Sequence, residues 1–454
     1  MRWLVEPKNL KERSSKMRRL IVPLLATVMV ICLIFAGCAA PTAPTTPTTP
    51  TTPTTPTTPT TPTTPTPEEP ILVGVPYPMV GTLAADGQDM IESAIMAVEE
   101  INAAGGLLGR PLEIVEADTK EMMAEDVATA AEILMAAGVD VSLCNYAGFT
   151  VDVQAFGKYD VPYLRWTDSV FAQNAILEDV VRNWNVYSIC PNGEDLGPIN
   201  FRTVAEFLSR DFGYELPNHK IALLTMDDVW CQDVSAGIRR AMEGTDWEIV
   251  VDEGHPPGNT EWGAQLIKIR QENPAVIFHM SYIPLEAATL MRQFLEEPTQ
   301  SLLYSEHGPG LPEFFELISP EEAEGLLWGS GEYLYGTPEQ VAYQERYEER
   351  WGRLPASSNT YDLVKVWAEC VRIAGDPSDY EGVIDALTTN TFKELMGTYK
   401  VDKDTHVGRS GADYVPVRVF QVQAGDARKI LYLQDQPANQ FPYGADFIVP
   451  PWIE

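Results

Sequence analysis

The chain has 454 residues, 45% of them hydrophobic and 21% charged, with a formal net charge of −33. That length fits two or three folding units with a sizeable core. So acidic a chain lacks the basic stripe that a nucleic-acid backbone requires, and no nucleic-acid partner is expected.

The first element reads as an export signal: "KMRRL" is basic, residues 20–37 are apolar and end in small residues, and Cys38 follows. Met17, followed by Arg18 and Arg19, is a more usual start for such a segment than Met1. Residues 1–37 carry seven Lys/Arg against two Asp/Glu, so their removal would leave −38. "FAGC", Phe35 to Cys38, resembles a prokaryotic lipoprotein box, which implies cleavage before Cys38 and lipid attachment to it. An uncleaved membrane anchor is the alternative, since eighteen apolar residues just span a bilayer. Either reading tethers the remainder outside the cytoplasm.

Residues 38–70 form a linker dominated by a Thr-Thr-Pro repeat. With no large apolar side chain to bury and a proline every third position, it is expected to be an extended stalk. Its residues 41–67 could reach roughly 80 Å at ~3.1 Å per residue. Beyond Cys32 and Cys38, four cysteines remain, Cys144, Cys190, Cys231 and Cys370; their spacing fits no metal motif, and free thiols and a disulfide are both open.

From Ile71 onward, short β-rich runs alternate with helical periods. Strands are expected at 71–76, 112–118, 139–144 and 161–164, with helices at 90–103, 124–138 and 151–159 between them. After Pro191 the pattern repeats. Helix 200–213 is followed by strands 219–226, 247–253, 275–280 and 301–305, with helices separating them. Later come helices in "VAYQERYEERWG" and "NTYDLVKVWAECVRIAG", a hairpin within 412–433, and an irregular tail, 436–454. Such alternation predicts an α/β fold of two doubly wound lobes built on parallel sheets. "INAAGGLLGRP" (101–111) follows a helix, so its glycines read as a stop and turn rather than a phosphate loop, which precedes a helix.

Ligands of doubly wound sheets sit beyond the carboxyl ends of the strands. That rule selects loops 77–88, 145–150, 165–169, 227–232, 281–284 and 306–309, which are rich in aromatics with a few charges and hydroxyls.

"GTLAADGQDMIESAIMAVEEINAAGGLLGRPLEIVEAD" resembles the first βαβ unit of the branched-chain amino acid (Leu/Ile/Val) binding proteins of ABC transporters, the type I periplasmic-binding fold, and the likeness extends to about residue 435. It implies a ligand cleft between discontinuous lobes. Lobe 1 would be 71–188 plus 331–395, and lobe 2 would be 189–330 plus 396–435. The resemblance implies a ligand carboxylate held by Thr150, Thr167 and Arg165, with Asp168 and Ser169 in the same ligand-contact segment, an apolar body enclosed by Phe149, Trp230 and Tyr282, and an ammonium paired with Glu306. Each residue also has an ordinary structural role open to it. Trp230 and Tyr282 are suited to loop packing, Glu306 to solvation, and Arg165 equally to bracing Asp168 or another local acid.

No enzyme signature emerges. The five histidines form no H-E-x-x-H or H-x-H pattern, so no metal and no cofactor is expected; adjacent Asp227 and Asp228 are the residues an α/β enzyme reading would use. The resemblance implies a monomeric solute-binding lipoprotein that closes on a small hydrophobic amino acid or related compound and delivers it to a membrane ABC permease. Its alternatives are a ligand-sensing receptor domain, or a binder of an amide or aromatic acid.

Overall fold

A computed structural model describes residues 69–453 apart from 82, 149, 168, 191–192 and 356–357. The signal segment, Cys38, the stalk through residue 68, Phe149 and Asp168 lie outside the described residues.

The first sheet contains β1 (Ile71–Tyr77), β2 (Leu112–Asp118), β3 (Val141–Cys144), β4 (Tyr163–Arg165) and β5 (Val186–Ser188). All pairs are parallel, in the order β2-β1-β3-β4-β5. Successive strand side chains face opposite ways. Ile71, Val73, Val75, Val141, Leu143 and Leu164 therefore enter one core with the Ala84–Ala103 and Asn359–Ala374 helices, while Tyr163, Val186 and Cys144 enter another with Ala124–Ala137 and Val151–Phe156. Residues as late as Met396, Tyr399, Val401 and Val415 also pack in the first of these cores.

The second sheet takes β6 (Lys220–Met226), β7 (Glu248–His255), β8 (Val276–Met280), β9 (Leu302–Glu306) and β10 (Leu327–Ser330). A short hairpin of β11 (Phe392–Glu394) and β12 (Gly397–Tyr399) intervenes before β13 (Arg418–Gln423), β14 (Asp426–Leu433) and β15 (Gln436–Pro437) rejoin that sheet. Its order is β15-β14-β13-β10-β9-β8-β6-β7, with an antiparallel edge from β13 outward. Ala222, Leu224, Ile277 and Leu303 face one core; Ile221, Leu223, Val276 and Leu302 face the other. Two sheets, each covered on both faces by helices, make two doubly wound lobes.

Differences from the sequence reading are local. The helix expected at 200–213 begins at Gly193, contains Pro198, and passes through a π-helical turn at Thr203–Phe207. The tail is irregular after Gln440 yet docked: Trp452 Nε1 donates to the Ser301 carbonyl at 2.9 Å, and Gln421 and Ile448 exchange hydrogen bonds of 2.8 and 3.0 Å. Cys144, Cys231 and Cys370 are free, and all four cysteines of the folded body, Cys190 included, are buried. No described helix is long and apolar enough to cross a membrane.

The glycine-rich loop is a turn. The preceding helix ends at Ala103, Gly105 takes φ +105°, and the Gly106 N–H returns to the Ile101 carbonyl at 2.9 Å. Pro111 then accepts from the Ile71 N–H at 2.9 Å, which places the loop at the amino ends of the strands.

One glycine matters at the opposite end. A Cβ on Gly87, in the first turns of the Ala84–Ala103 helix, would lie 1.9 Å from the Pro78 carbonyl oxygen. Alanine ordinarily stabilises a helix interior relative to glycine. Here the contact is with rigid backbone, so Gly87→Ala is expected to lower stability by about 1–3 kcal/mol, as overpacking does. Thermal unfolding that showed the variant equal to or above the parent would refute that close approach.

Candidate functional site

The carboxyl ends of the two sheets face a cleft of about 520 Å³, within the usual size of small-molecule pockets. From the first lobe come Leu83, Asp86, Met122, Tyr146, Gly148, Trp166 and Thr167; from the second come Trp230, Pro257, Tyr282, Ile283, Leu285, His307 and Leu311. The strand-end loops deliver most of these side chains.

Aromatic rings form a connected wall. Trp230 meets Tyr282 edge-on at 6.1 Å between centroids and His307 at 6.3 Å, and His307 leans on Tyr333 at 5.2 Å. Trp230 is fixed from below, because the Asp228 carboxylate caps its helix by accepting the Trp230 N–H at 2.9 Å. His307 adopts φ +56°, a conformation rare for a residue with a side chain. Burial holds its pKa down at about 4, so the ring is neutral near pH 7. Across the cleft, Trp166 is buried and packs edge-on against Tyr399 at 5.7 Å.

The charge of the cleft is lopsided. Asp86, Glu121, Glu313 and Glu332 line it against Lys120, and the Lys120 ammonium is engaged by Asp126 at 2.6 Å. Asp86 accepts from the Tyr146 hydroxyl at 2.5 Å. Burial lifts its pKa to about 7, opposed by the Tyr146 hydrogen bond and reinforced by Asp89 and Glu313. An ionised Asp86 in this recess would gain from a positive partner.

Of the residues singled out by sequence, Thr167, Trp230 and Tyr282 line the cleft together. Thr150 precedes the Val151–Phe156 helix and is not among the lining residues. Arg165 is fully buried, with Nη1 3.2 Å from Asp152 Oδ1 and Nη2 donating to the Gly148 carbonyl at 3.2 Å. Ser169 caps the Val170–Glu178 helix and donates to Asp233 Oδ2 at 3.0 Å, where the Val170 N–H also arrives at 2.8 Å. That contact joins the first lobe to the helix after β6. Glu306 is buried and accepts from the Asn200 side-chain amide, inside the second lobe. Phe149 and Asp168 lie outside the described residues. Asp227, the neighbour of the capping Asp228, accepts from Gln232 at 3.1 Å.

Sequence reasoning did not single out Asp86, Met122, His307, Glu313 or Glu332 for the cleft. Asp86 falls in a loop the strand-end rule had selected, so its position, though not its role, was within reach.

The sequence profile described as periplasmic binding protein matches residues 70–427. The Leucine-, isoleucine-, valine-, threonine-, and alanine-binding protein of Pseudomonas aeruginosa is 24% identical over 340 residues, 73% of this chain and 86% of that protein. Among solved structures, a Silicibacter pomeroyi protein assigned provisionally to branched-chain amino acid ABC transport superposes with a TM-score of 0.78 at 25% identity, covering 85% of this chain and all of that one. The substrate binding protein LivJ of Streptococcus pneumoniae, in complex with isoleucine, gives 0.66 at 20% identity, covering 80% and 99%.

Proposed function

The chain belongs to the periplasmic binding protein family, and from that membership we propose that it captures a small amine with an apolar body, foremost a hydrophobic amino acid, for an ABC permease. The observation that carries this reading is the pairing of an aromatic wall, Trp230, Tyr282 and His307, with an excess of carboxylates headed by Asp86. Rings and carboxylates together favour an ammonium carried on a hydrophobic frame. Asp86 is the ammonium partner in this reading, because Glu306 is turned toward Asn200. Thr167 remains at the cleft to meet a carboxylate, whereas Arg165 is held by Asp152. An aromatic acid would instead face four carboxylates with one engaged lysine.

Capture would proceed by closure of the lobes, since the lining comes from both and a ligand touches all of it only when the cleft is shut. The Ser169–Asp233 contact supports a closed arrangement, because it spans the two lobes. Lipidation of Cys38 and the stalk would present this body outside the cytoplasm as a monomer beside its permease. Lobe 1 would take 71–188 with 331–395, extended by Met396, Tyr399, Val401 and Val415, which pack in its core, and lobe 2 would take 189–330 with the strands from β13 onward.

Calorimetric titration of the purified mature protein with leucine, isoleucine and valine, with their decarboxylated amines, and with their deaminated acids tests the reading. Amino acids or amines should bind and the deaminated acids should not; binding by the acids alone would overturn it. Trp230→Ala should weaken the ligand that binds by about 30–1,000-fold, the cost of removing a central aromatic anchor of 2–4 kcal/mol.

A further inference from the structure

A second cluster lies behind the cleft wall of the second lobe. His255 ends β7, His279 is the penultimate residue of β8, and Glu286 lies in the first turn of the Pro284–Leu295 helix that follows β8. All three side chains are buried, and Glu286 Oε2 stands 3.7 Å from both His255 Nδ1 and His279 Nε2.

These distances are too long for hydrogen bonds. His279 Nε2 and Glu286 Oε2 have no hydrogen-bond partner, and neither does His255 Nε2. Buried polar atoms left this way cost free energy unless something satisfies them. Two donors bound tetrahedrally at metal distances near 2.1 Å stand about 3.4 Å apart. The observed 3.7 Å from Glu286 to each histidine lies a few tenths above that, and the three ligand atoms all fall within 4.8 Å of one another.

The remaining polar atoms of these groups are occupied in the way that orients metal ligands. His279 Nδ1 lies 3.0 Å from Ser305 Oγ, which leaves Nε2 to face the centre. Glu286 Oε1 accepts from the Gly258 and Asn259 N–H groups at 2.5 and 3.2 Å, which turns Oε2 the same way. Such outer contacts fix ring tautomer and carboxylate direction. His255 Nδ1 has the Pro256 carbonyl at 3.3 Å as its nearest partner, a long contact that a stronger bond could replace. His255 also borders a separate recess of about 490 Å³ with Asp227 and Asp252.

We propose that His255, His279 and Glu286 bind a divalent transition metal of the zinc class, with water from the recess completing the coordination. Two imidazoles and a carboxylate are borderline nitrogen and oxygen ligands suited to that class. The ion would tie together β7, β8 and the Pro284–Leu295 helix. Pro257, Ile283, Pro284 and Leu285 beside it line the ligand cleft, so the metal would stiffen one cleft wall. This site stands whether or not the cleft takes an amine.

The test is zinc titration of the chelator-stripped mature protein against a chromophoric chelator, with thermal unfolding alongside. One zinc per chain should bind and raise the Tm by linkage. His255→Ala should weaken zinc binding by about 100-fold or more, the loss of a direct ligand exceeding that of an outer contact, and His255→Cys, which restores a ligand, should recover it. Folding of each variant is checked by circular dichroism without metal, and His279→Ala provides the second probe should His255→Ala not fold. Absence of stoichiometric zinc in the parent protein, or unchanged binding in a folded His255→Ala or His279→Ala variant, overturns the site.

Discussion

Leucine in place of Arg165 is expected to lower the free energy of unfolding by about 3–5 kcal/mol, the cost of leaving one partner of a buried ion pair alone. Arg165 and Asp152 are both fully buried, with Nη1 and Oδ1 3.2 Å apart, and Tyr163 donates to the same carboxylate at 3.0 Å. Burial raises the Asp152 pKa, and Arg165 is the strongest influence opposing that rise. Without the guanidinium the carboxyl would rather take a proton than stay charged. A group whose folded pKa is raised contributes its stability below its unfolded value and loses it as pH climbs through the folded one. The deficit of Arg165→Leu relative to the parent should therefore be largest near pH 8 and shrink toward pH 4. Replacing both partners by leucine should recover most of the loss, since a well-packed apolar pair avoids the desolvation that an ion pair must offset. Urea unfolding of the two single variants and the double variant measures this. An Arg165→Leu protein as stable as its parent, yet unable to bind ligand, would instead place the guanidinium with the ligand.

The same residue shows how far sequence carried and where it stopped. The rule that ligands gather at strand carboxyl ends selected the rim of both sheets that lines the cleft, including Tyr146, Trp166, Thr167, Trp230 and Tyr282. It could not assign direction within a strand end. Arg165 and Glu306 are the last residues of β4 and β9, and their side chains turn into the lobes. Trp166 and His307, one residue later and just past the strand ends, border the cleft instead. A shift of one position thus exchanges a buried brace for a ligand wall. Short strands were also illegible: β5 has three residues and β10 four, "LWGS", too few for a period to stand out. The long amphipathic helices and the apolar runs of β1, β6 and β8 were readable because burial on both faces leaves little freedom in residue type. His255, His279 and Glu286 come from three elements, and no local spacing announces that folding brings them together.

Asparagine at position 86 should separate two effects that the aspartate combines, and it is the largest expected change in ligand affinity from a single polar substitution. In the ligand-free cleft, burial lifts the Asp86 pKa to about 7. An ammonium ligand binds the ionised form, so the parent protein's affinity should be constant above about pH 8 and fall nearly tenfold for each unit below about pH 7. Asp86→Asn should flatten that dependence and weaken binding at pH 8 by about 10–100-fold, since a charge-assisted contact of 1.5–3 kcal/mol becomes a neutral one. Stability should move the other way. The raised pKa means that Asp86 favours the fold below pH 4 and that this contribution disappears as pH rises through about 7. The neutral amide escapes that loss, so the ligand-free variant should unfold at a higher temperature than the parent at pH 8 and near the same temperature at pH 4. A carboxylate that costs stability in the empty protein and strengthens binding in the loaded one is a functional group retained against the interest of the fold. Unchanged ligand affinity of Asp86→Asn across pH 6–8 would remove Asp86 from the recognition of the amine, and with it the strongest electrostatic reason for expecting an amine in this cleft.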